Sequence, residues 1–238
     1  AHPLGTDSVG RDVLLRLLYG GRVSLAVGLI AAVLASLVGT LIGLAAGYFG
    51  GALDAALMRV TDGFIALPLL PLLIVLAAID VTKLGLPEGA VSGAEGSIAR
   101  IVVLVALVGW TPVARLVRGT TLSVKTWPFV TAAHALGAGH ARVVAAHILP
   151  NAAAPMIVAT TLACGNIILL ESVLSFLGLG IQPPTASWGK MLTNAQDLIH
   201  TAPLLAVWPG LLIFLTVMAF NFLGDGLQDA LAPETGEG

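Results

Sequence analysis

Charge is what this sequence has least of. Asp, Glu, Lys and Arg make up 10% of its 238 residues, against about 25% in a soluble domain. So few charges cannot coat a water-facing surface, which excludes an ordinary soluble chain and leaves a membrane protein with several spans. A basic excess is lacking too. The net charge of −2 excludes nucleic acid as a partner, which would need a basic face. Cys164 is the only cysteine. It permits no internal disulfide and no cysteine-based zinc site, and in its apolar run it reads as a small core residue. There is no G-x-x-x-x-G-K-[ST] phosphate loop. The one Gly-Lys pair, at 189 and 190, runs into Met191 and lacks the upstream glycine. Nor is "SFLGLG" a G-x-S-x-G nucleophile elbow. The chain reads as no enzyme, with no cofactor of its own, so any nucleotide that drives it sits on another subunit. Nor is a signal peptide visible. The chain opens at Ala1 on the polar run "AHPLGTDSVGRD", and an upstream part is expected.

What the chain has is apolar length. Hydrophobic residues are 57% and the mean hydropathy is +0.98. The expected fold is an all-α, polytopic membrane bundle of five transmembrane helices with short amphipathic helices beside them. Residues 12–22 place Val13, Leu14, Leu17 and Leu18 on one helical face with Arg11 and Arg16 off it, which predicts a short helix lying on the bilayer, or a simple linker. The first span is the uncharged 23–47. In it Ala31, Ala35, Gly39, Gly43 and Gly47 recur every four residues, a stripe of small residues that lets a neighbouring helix approach. Residues 48–63 bring Asp54, Arg59 and Asp62 to the entry of the second span, with Arg59 and Asp62 spaced to pair. That span, 57–79, holds Pro68 and Pro71 and should kink. A polar loop over 80–100 follows. The third span, 98–118, ends on Arg115 and Arg118, which can snorkel to the interface.

The fourth span, 155–179, carries Glu171. A charge at membrane depth costs about 2.5–3.5 kcal/mol, so it is protonated, paired, or close to the far interface. Thr161, Gly165, Ser172 and Ser175 share one face. With Asn166 and Glu171, these polar residues are candidates for a wet pathway, or else for hydrogen bonds between helices. Over 178–200, Trp188, Met191, Leu192, Ala195, Leu198 and Ile199 predict an interfacial helix with Trp188 at the headgroups. The fifth span is 203–223, and a disordered tail follows over 231–238.

One stretch interrupts the oil: "TAAHALGAGHARVVAAHILPN", 131–151. Pro128 suits a first helical turn and Thr126 a cap. The helix should run to Leu136, break at 137–139, resume over 140–148, and stop at "ILPN". His134, His140 and His147 lie here, but on two helices with a glycine break, and no carboxylate occurs between Arg100 and Glu171. Zinc needs three or four convergent ligands, so these read as surface histidines and no metal is expected. Five spans put this stretch and the C-terminus on one side. The arginine and lysine count, five on that side against six on the other, does not say which.

The run Thr131-Ala132-Ala133, then Gly137, then His147-Ile148-Leu149-Pro150-Asn151 resembles the EAA loop of binding-protein-dependent ABC-transporter permeases. Five further segments are similar to the branch that imports dipeptides, oligopeptides or nickel: "HPLGTDSVGRDVLLRLLYGGRVSL" (2–25), "AGYFGGALDAALMRVTD" (46–62), "VGWTPVARLVRG" (108–119), "SFLGLGIQPPTASWGKML" (175–192) and "FNFLGDGLQDAL" (220–231). There are departures. Thr131 replaces the family's glutamate, His134 stands where arginine is common, the loop at 80–97 is longer, and the family's first helix is expected upstream of "HPLGTD".

The resemblance implies a coupling loop at 120–154 whose short helices sit in a cleft of a cytoplasmic ATPase. Val130, Ala133 and Leu136 would face that cleft, beside Ala132 and His134. It further implies an extracytoplasmic segment at 1–22, a permease domain over 23–230 in a bacterial-type inner membrane, and a cytoplasmic tail. The implied partners are a second, homologous permease subunit, two ATPase subunits that bind ATP and magnesium, and an extracytoplasmic solute-binding protein touching Gln182–Trp188 and Gly5–Arg11. Membrane lipid surrounds the bundle. Transport would be by alternating access, and inverting a 99:1 population takes about 5.5 kcal/mol of differential binding, supplied by the ATPases. Two rivals stand beside this reading: an ion-coupled transporter using Glu171 or Asp62, and an intramembrane enzyme built on the histidines.

Overall fold

The computed structural model describes residues 2–79, 93–193 and 199–231. All regular elements among them are helical. In chain order they are α1 (Val13–Phe49), α2 (Gly51–Ala66), α3 (Leu69–Ala78), α4 (Ala94–Gly109), α5 (Thr111–Val124), α6 (Pro128–Ala135) and α7 (His140–Val143). A π turn (Val144–Ile148), α8 (Leu149–Phe176), α9 (Trp188–Met191) and α10 (Leu204–Leu231) complete the series. Among the described residues three continuous helical stretches are long and apolar enough to cross a membrane, and up to five spans result if α2–α3 and α4–α5 each count as one interrupted span. Large exposed side chains such as Leu37, Leu41 and Phe214 suit a surface that meets lipid rather than water.

Several boundaries differ from those expected. The helix predicted over 12–22 is the first three turns of α1, which runs unbroken for 37 residues. Nothing in "LLYGGR" stops a helix: glycine costs about 1 kcal/mol inside one, and packing recovers it, because a Cβ on Gly21 would meet the Trp188 ring. The second span begins at Gly51, where Gly50 and Gly51 take φ of 68° and 57°. It breaks at Leu67, whose ψ of 136° is the extended conformation that a following proline imposes. The third span is interrupted at Trp110, just before Pro112, which lacks an N–H and crowds the carbonyl four residues back. The "ILPN" corner does not stop its helix. α7, the π turn and α8 form one stretch, His140–Phe176, and the wider turn accommodates Pro150: the Leu149 amide reaches back to the Val144 carbonyl. The fifth span is longer than expected, because "NFLGDGLQ" stays helical to Leu231. Asp80, Lys83 and Glu88 of the polar loop, and the tail from 232, lie outside the described residues.

The chain divides into two compact units. The first comprises Ala1–Ala32, Leu69–Leu107 and Cys164–Phe220. Its core joins Val13 and Leu17 of α1 with Trp188 and Ile213. Trp188 is 5% exposed and its indole N–H donates to the Leu17 carbonyl at 2.9 Å. It is therefore a core residue and not the headgroup anchor of an interfacial helix; α9 is only four residues long, and residues 194–198 lie outside the described set. Arg100 donates to the carbonyls of Ala77 and Ile79, capping the end of α3 where helix carbonyls lack partners.

The second unit comprises Val33–Pro68, Val108–Ala163 and Asn221–Gly238. Here Gly39, Gly43 and Gly47 lie against α5. A Cβ on them would come within 2.5, 2.6 and 2.7 Å of Trp110 O, Ala114 O and Thr121 Cβ. Ala35, at the start of this part of the stripe, is buried, as is Ala31 within the first unit. Beside the glycines, Ser36 and Thr160 hydroxyls bond between helices at 2.7 Å.

Candidate functional site

The stretch 126–151 is built into the second unit as a bedded platform. Pro128 opens α6 at its first turn, but the residue that caps it is Trp127. The Thr126 hydroxyl is engaged elsewhere, donating to the Ser123 carbonyl at 2.8 Å. Gly137, at φ 84°, ends α6 in a Schellman motif: the Ala138 amide donates to Ala133 O at 3.0 Å and the Gly137 amide to His134 O at 2.9 Å. This left-handed turn sends the chain into α7.

Val130, Val143 and Ile148 drop into one cluster with Leu44, Val113, Val117 and Val124, and Ala133 and Leu149 pack against it. Val130 is wholly buried. That corrects the expected docking face. Val130 and Ala133 hold the loop to its own unit, while the residues turned outward are Phe129, Ala132 and Leu136, of which Leu136 is 88% exposed. Positions 129, 132 and 136 share a helical face. Thr131 is exposed and its hydroxyl leans back on the Trp127 carbonyl at 3.4 Å. Pro150 and Asn151 are exposed, and the Asn151 side chain donates to His147 O at 2.6 Å.

Further ties come from residues that sequence reasoning passed over. Tyr48, at the end of α1, lies 2.7 Å from His140 Nδ1 and 3.4 Å from His134 Nε2. His147 instead packs near Phe129, with ring centroids 6.0 Å apart. Lys125 Nζ donates to Gly47 O at 2.7 Å. Among the described residues no group of three or more histidine, cysteine or acidic side chains is placed to hold a metal. Arg118 grips Asp54 with two bonds, 2.5 and 2.6 Å, and Arg115 reaches Asp62 at 2.5 Å. Asp62 thus pairs with Arg115 and not Arg59, and the two arginines are held by carboxylates rather than reaching for an interface.

The five candidate pathway residues are divided between the two units. Thr161 bonds back to the Ile157 carbonyl at 2.9 Å, as hydroxyls do inside helices, and belongs to the second unit. In the first unit Asn166 is exposed. Glu171, Ser172 and Ser175 are buried. Ser175 donates to Glu171 Oε1 at 2.6 Å and Ser24 to Oε2 at 3.3 Å. Buried hydroxyls therefore hold the carboxyl, and the bond from Ser24 is of the helix-to-helix kind that stood beside a wet pathway as the alternative. Ser24 was hidden in the apolar run 23–47. A lone serine there is a visible signal, but its partner stands 147 residues away.

In the same unit, a cleft is lined by Asp7, Arg11, Arg16, Pro183, Lys190 and Met191. It brings together the two segments expected to meet a solute-binding protein. Asp12 starts α1 as its cap, accepting the Leu15 amide at 3.0 Å. The His2 imidazole beside it, with that amide, holds its carboxyl below the ordinary range.

Residues 39–237 match the family described as the binding-protein-dependent transport system inner membrane component. Over 233 residues the chain is 42% identical to the glutathione transport system permease protein GsiD of Escherichia coli O6:K15:H31 (strain 536 / UPEC), covering 98% of this chain and 72% of that protein. It is 43% identical, with the same coverage, to that of Shigella dysenteriae serotype 1 (strain Sd197). Its fold is similar to a solved structure of the methionine ABC transporter MetNI in inward-facing conformation. The TM-score is 0.69 at 19% identity, over 92% of this chain and 98% of that one. A crystal structure of an amino acid ABC transporter with histidines has a TM-score of 0.61 at 18% identity, over 92% and 95%.

Proposed function

This chain belongs to the family of binding-protein-dependent transport system inner membrane components, and from that premise we propose how it works. As the permease subunit of an ABC importer it provides the membrane passage, and the nucleotide is bound elsewhere. The loop 131–151 is the handle on which a cytoplasmic ATPase pulls. A second permease subunit completes the passage, two ATPases bind ATP and magnesium, and an extracytoplasmic solute-binding protein delivers the solute to the cleft near Lys190.

One observation carries the coupling role: Leu136, 88% exposed, caps a helix whose opposite side is buried. A large apolar side chain held out on a rigid base is the form of a helix-in-groove contact. Because Val130, Val143 and Ile148 lock the platform to α1 and α5, a displacement of Leu136 moves helices rather than a slack loop.

The cargo proposed is a short peptide, the class to which the glutathione named for the GsiD relatives belongs. The ion-coupled reading finds no support in the geometry: Asp62 is paired with Arg115 and Glu171 is enclosed by hydroxyls.

The test is co-purification with the ATPase subunits, followed by uptake of labelled glutathione, dipeptides and nickel into proteoliposomes. Deleting 131–149, or changing Leu136→Asp, should remove ATPase co-purification and uptake while the chain still inserts. Retained co-purification and transport would defeat the coupling role. Uptake of nickel alone would defeat the peptide assignment.

A further inference from the structure

Two hydroxyls of the first unit, Ser24 and Ser175, converge on one carboxyl, and each also holds a backbone amide of the outer loop. Ser175 donates to Glu171 Oε1 at 2.6 Å and accepts the Ile181 amide at 3.1 Å. Ser24, on α1, donates to Oε2 at 3.3 Å and accepts the Trp188 amide at 3.2 Å. Ser187, buried on the loop itself at the start of α9, accepts the Lys190 amide at 3.1 Å. A hydroxyl has one proton and two lone pairs. Once a lone pair takes a loop amide, the proton is left for the carboxyl. Ser24, Glu171 and Ser175 are all buried, so without that acceptor two hydroxyl protons would lose their partner in a dry site.

The backbone around this hub is as tight as its hydrogen bonding. A Cβ on Gly180 would collide with Ser175, and one on Gly189 with the Ser172 backbone. The indole of Trp188 adds its bond to Leu17 O. Outside this ring Gln182, Pro183 and Pro184 are exposed. A residue that merely filled space between helices would be apolar, because a carboxyl at this depth is expensive to insert.

We propose that Glu171 is a positioning residue: it fastens the outer loop 178–192 to α1 and α8 through Ser24 and Ser175, and so presents 182–184 as a fixed docking surface. Only the identity of what docks there, the solute-binding protein, rests on the functional reading above.

The experiment uses the assembled transporter, with hydrogen exchange resolved to single amides and ATPase rates measured with and without binding protein. Glu171→Leu should speed exchange at Ile181 and Trp188 about tenfold or more, leave the amides of α6 unchanged, and abolish stimulation by the binding protein while basal hydrolysis persists. Glu171→Gln keeps the shape and one acceptor oxygen, and should restore most of the protection and the stimulation. Unchanged loop exchange in Glu171→Leu overturns the proposal. So does a Glu171→Gln variant that loses uptake with the loop still protected, because the carboxyl would then be working as a proton site. If Glu171→Leu fails to assemble, Ser24→Ala decides: selective exposure of the Trp188 amide supports the anchor, and no change there overturns it. An unmutated transporter that binding protein fails to stimulate would count against the functional reading and leave the exchange pattern as a separate test of the anchor.

Discussion

Asp7 illustrates how much a single side chain can organise in a charge-poor chain. Its carboxylate accepts the amides of Val9 and Arg11, both at 3.0 Å, and the Arg11 guanidinium at 2.8 Å, and it also pairs with Arg16. Burial opposes its ionisation, yet the Arg11 amide and guanidinium, the Val9 amide and Arg16 outweigh that and hold the carboxyl below its ordinary value of 3.8. A carboxyl that gives up its proton more readily in the folded state stabilises that state above the unfolded pKa. The contribution disappears as pH falls through the folded value. The turn over 2–12 should therefore stay closed above pH 3.8 and loosen progressively below it. Limited proteolysis of this segment against pH measures the transition, and Asp7→Asn should weaken its pH dependence to the part that Asp12 carries with His2, and leave the segment more cleavable at neutral pH. A protected segment in Asp7→Asn would mean the arginines do not need this partner.

Among the elements, the pairing of α1 with α5 is the one most exposed to a small change. Gly43 sits against the Ala114 carbonyl, the Val117 Cβ and the Arg118 amide, two of them backbone atoms that cannot swing aside. Gly43→Leu should destabilise by about 1–3 kcal/mol or more, the usual effect of overpacking, read as a lowered melting temperature in detergent. Gly119, on α5 with nothing within 4 Å of its Cβ position, is the control: Gly119→Ala should be neutral or stabilising by up to about 1 kcal/mol. Equal loss in both variants would show that the stripe is not specially intolerant. The four-residue spacing of 31, 35, 39, 43 and 47 was readable as a packing stripe from sequence. Which helix would meet it was not, because α5 is set against it only after Pro112 has broken the third span. Prolines behaved unequally for a physical reason. Pro68 follows an extended residue and ends a helix, whereas Pro150 is absorbed by a π turn that costs little where the next helix continues in line.

For the whole molecule, what has to be consistent is sidedness. The arginine and lysine count does not decide it, since several of these charges are engaged with Asp7, Asp54 and Asp62 rather than marking an interface. The functional reading does decide it. With Cys164 replaced by alanine, Ser8→Cys should react with a membrane-impermeant maleimide added outside intact cells. Leu136→Cys should react only in inverted vesicles. Both residues are exposed, so access measures side alone. Labelling of both positions from outside would break the coupling argument at its root.

The linear order of residues determined the class of protein on its own. Too little charge to face water, apolar runs long enough to span, and an interruption at 131–151 flanked by glycine and proline are properties of composition and spacing, and they need no partner to be read. Tertiary structure decided which way each polar or apolar group turns. Val130 and Leu136 are both apolar residues of one short helical segment, but one is consumed by the chain's own core and the other is left for a partner. Glu171 looks like a pathway charge until Ser24, brought back across 147 residues, encloses it. Such facts depend on which distant segment arrives next to a residue, and hydrophobic periodicity, a property of neighbours along the chain, carries no record of that arrival.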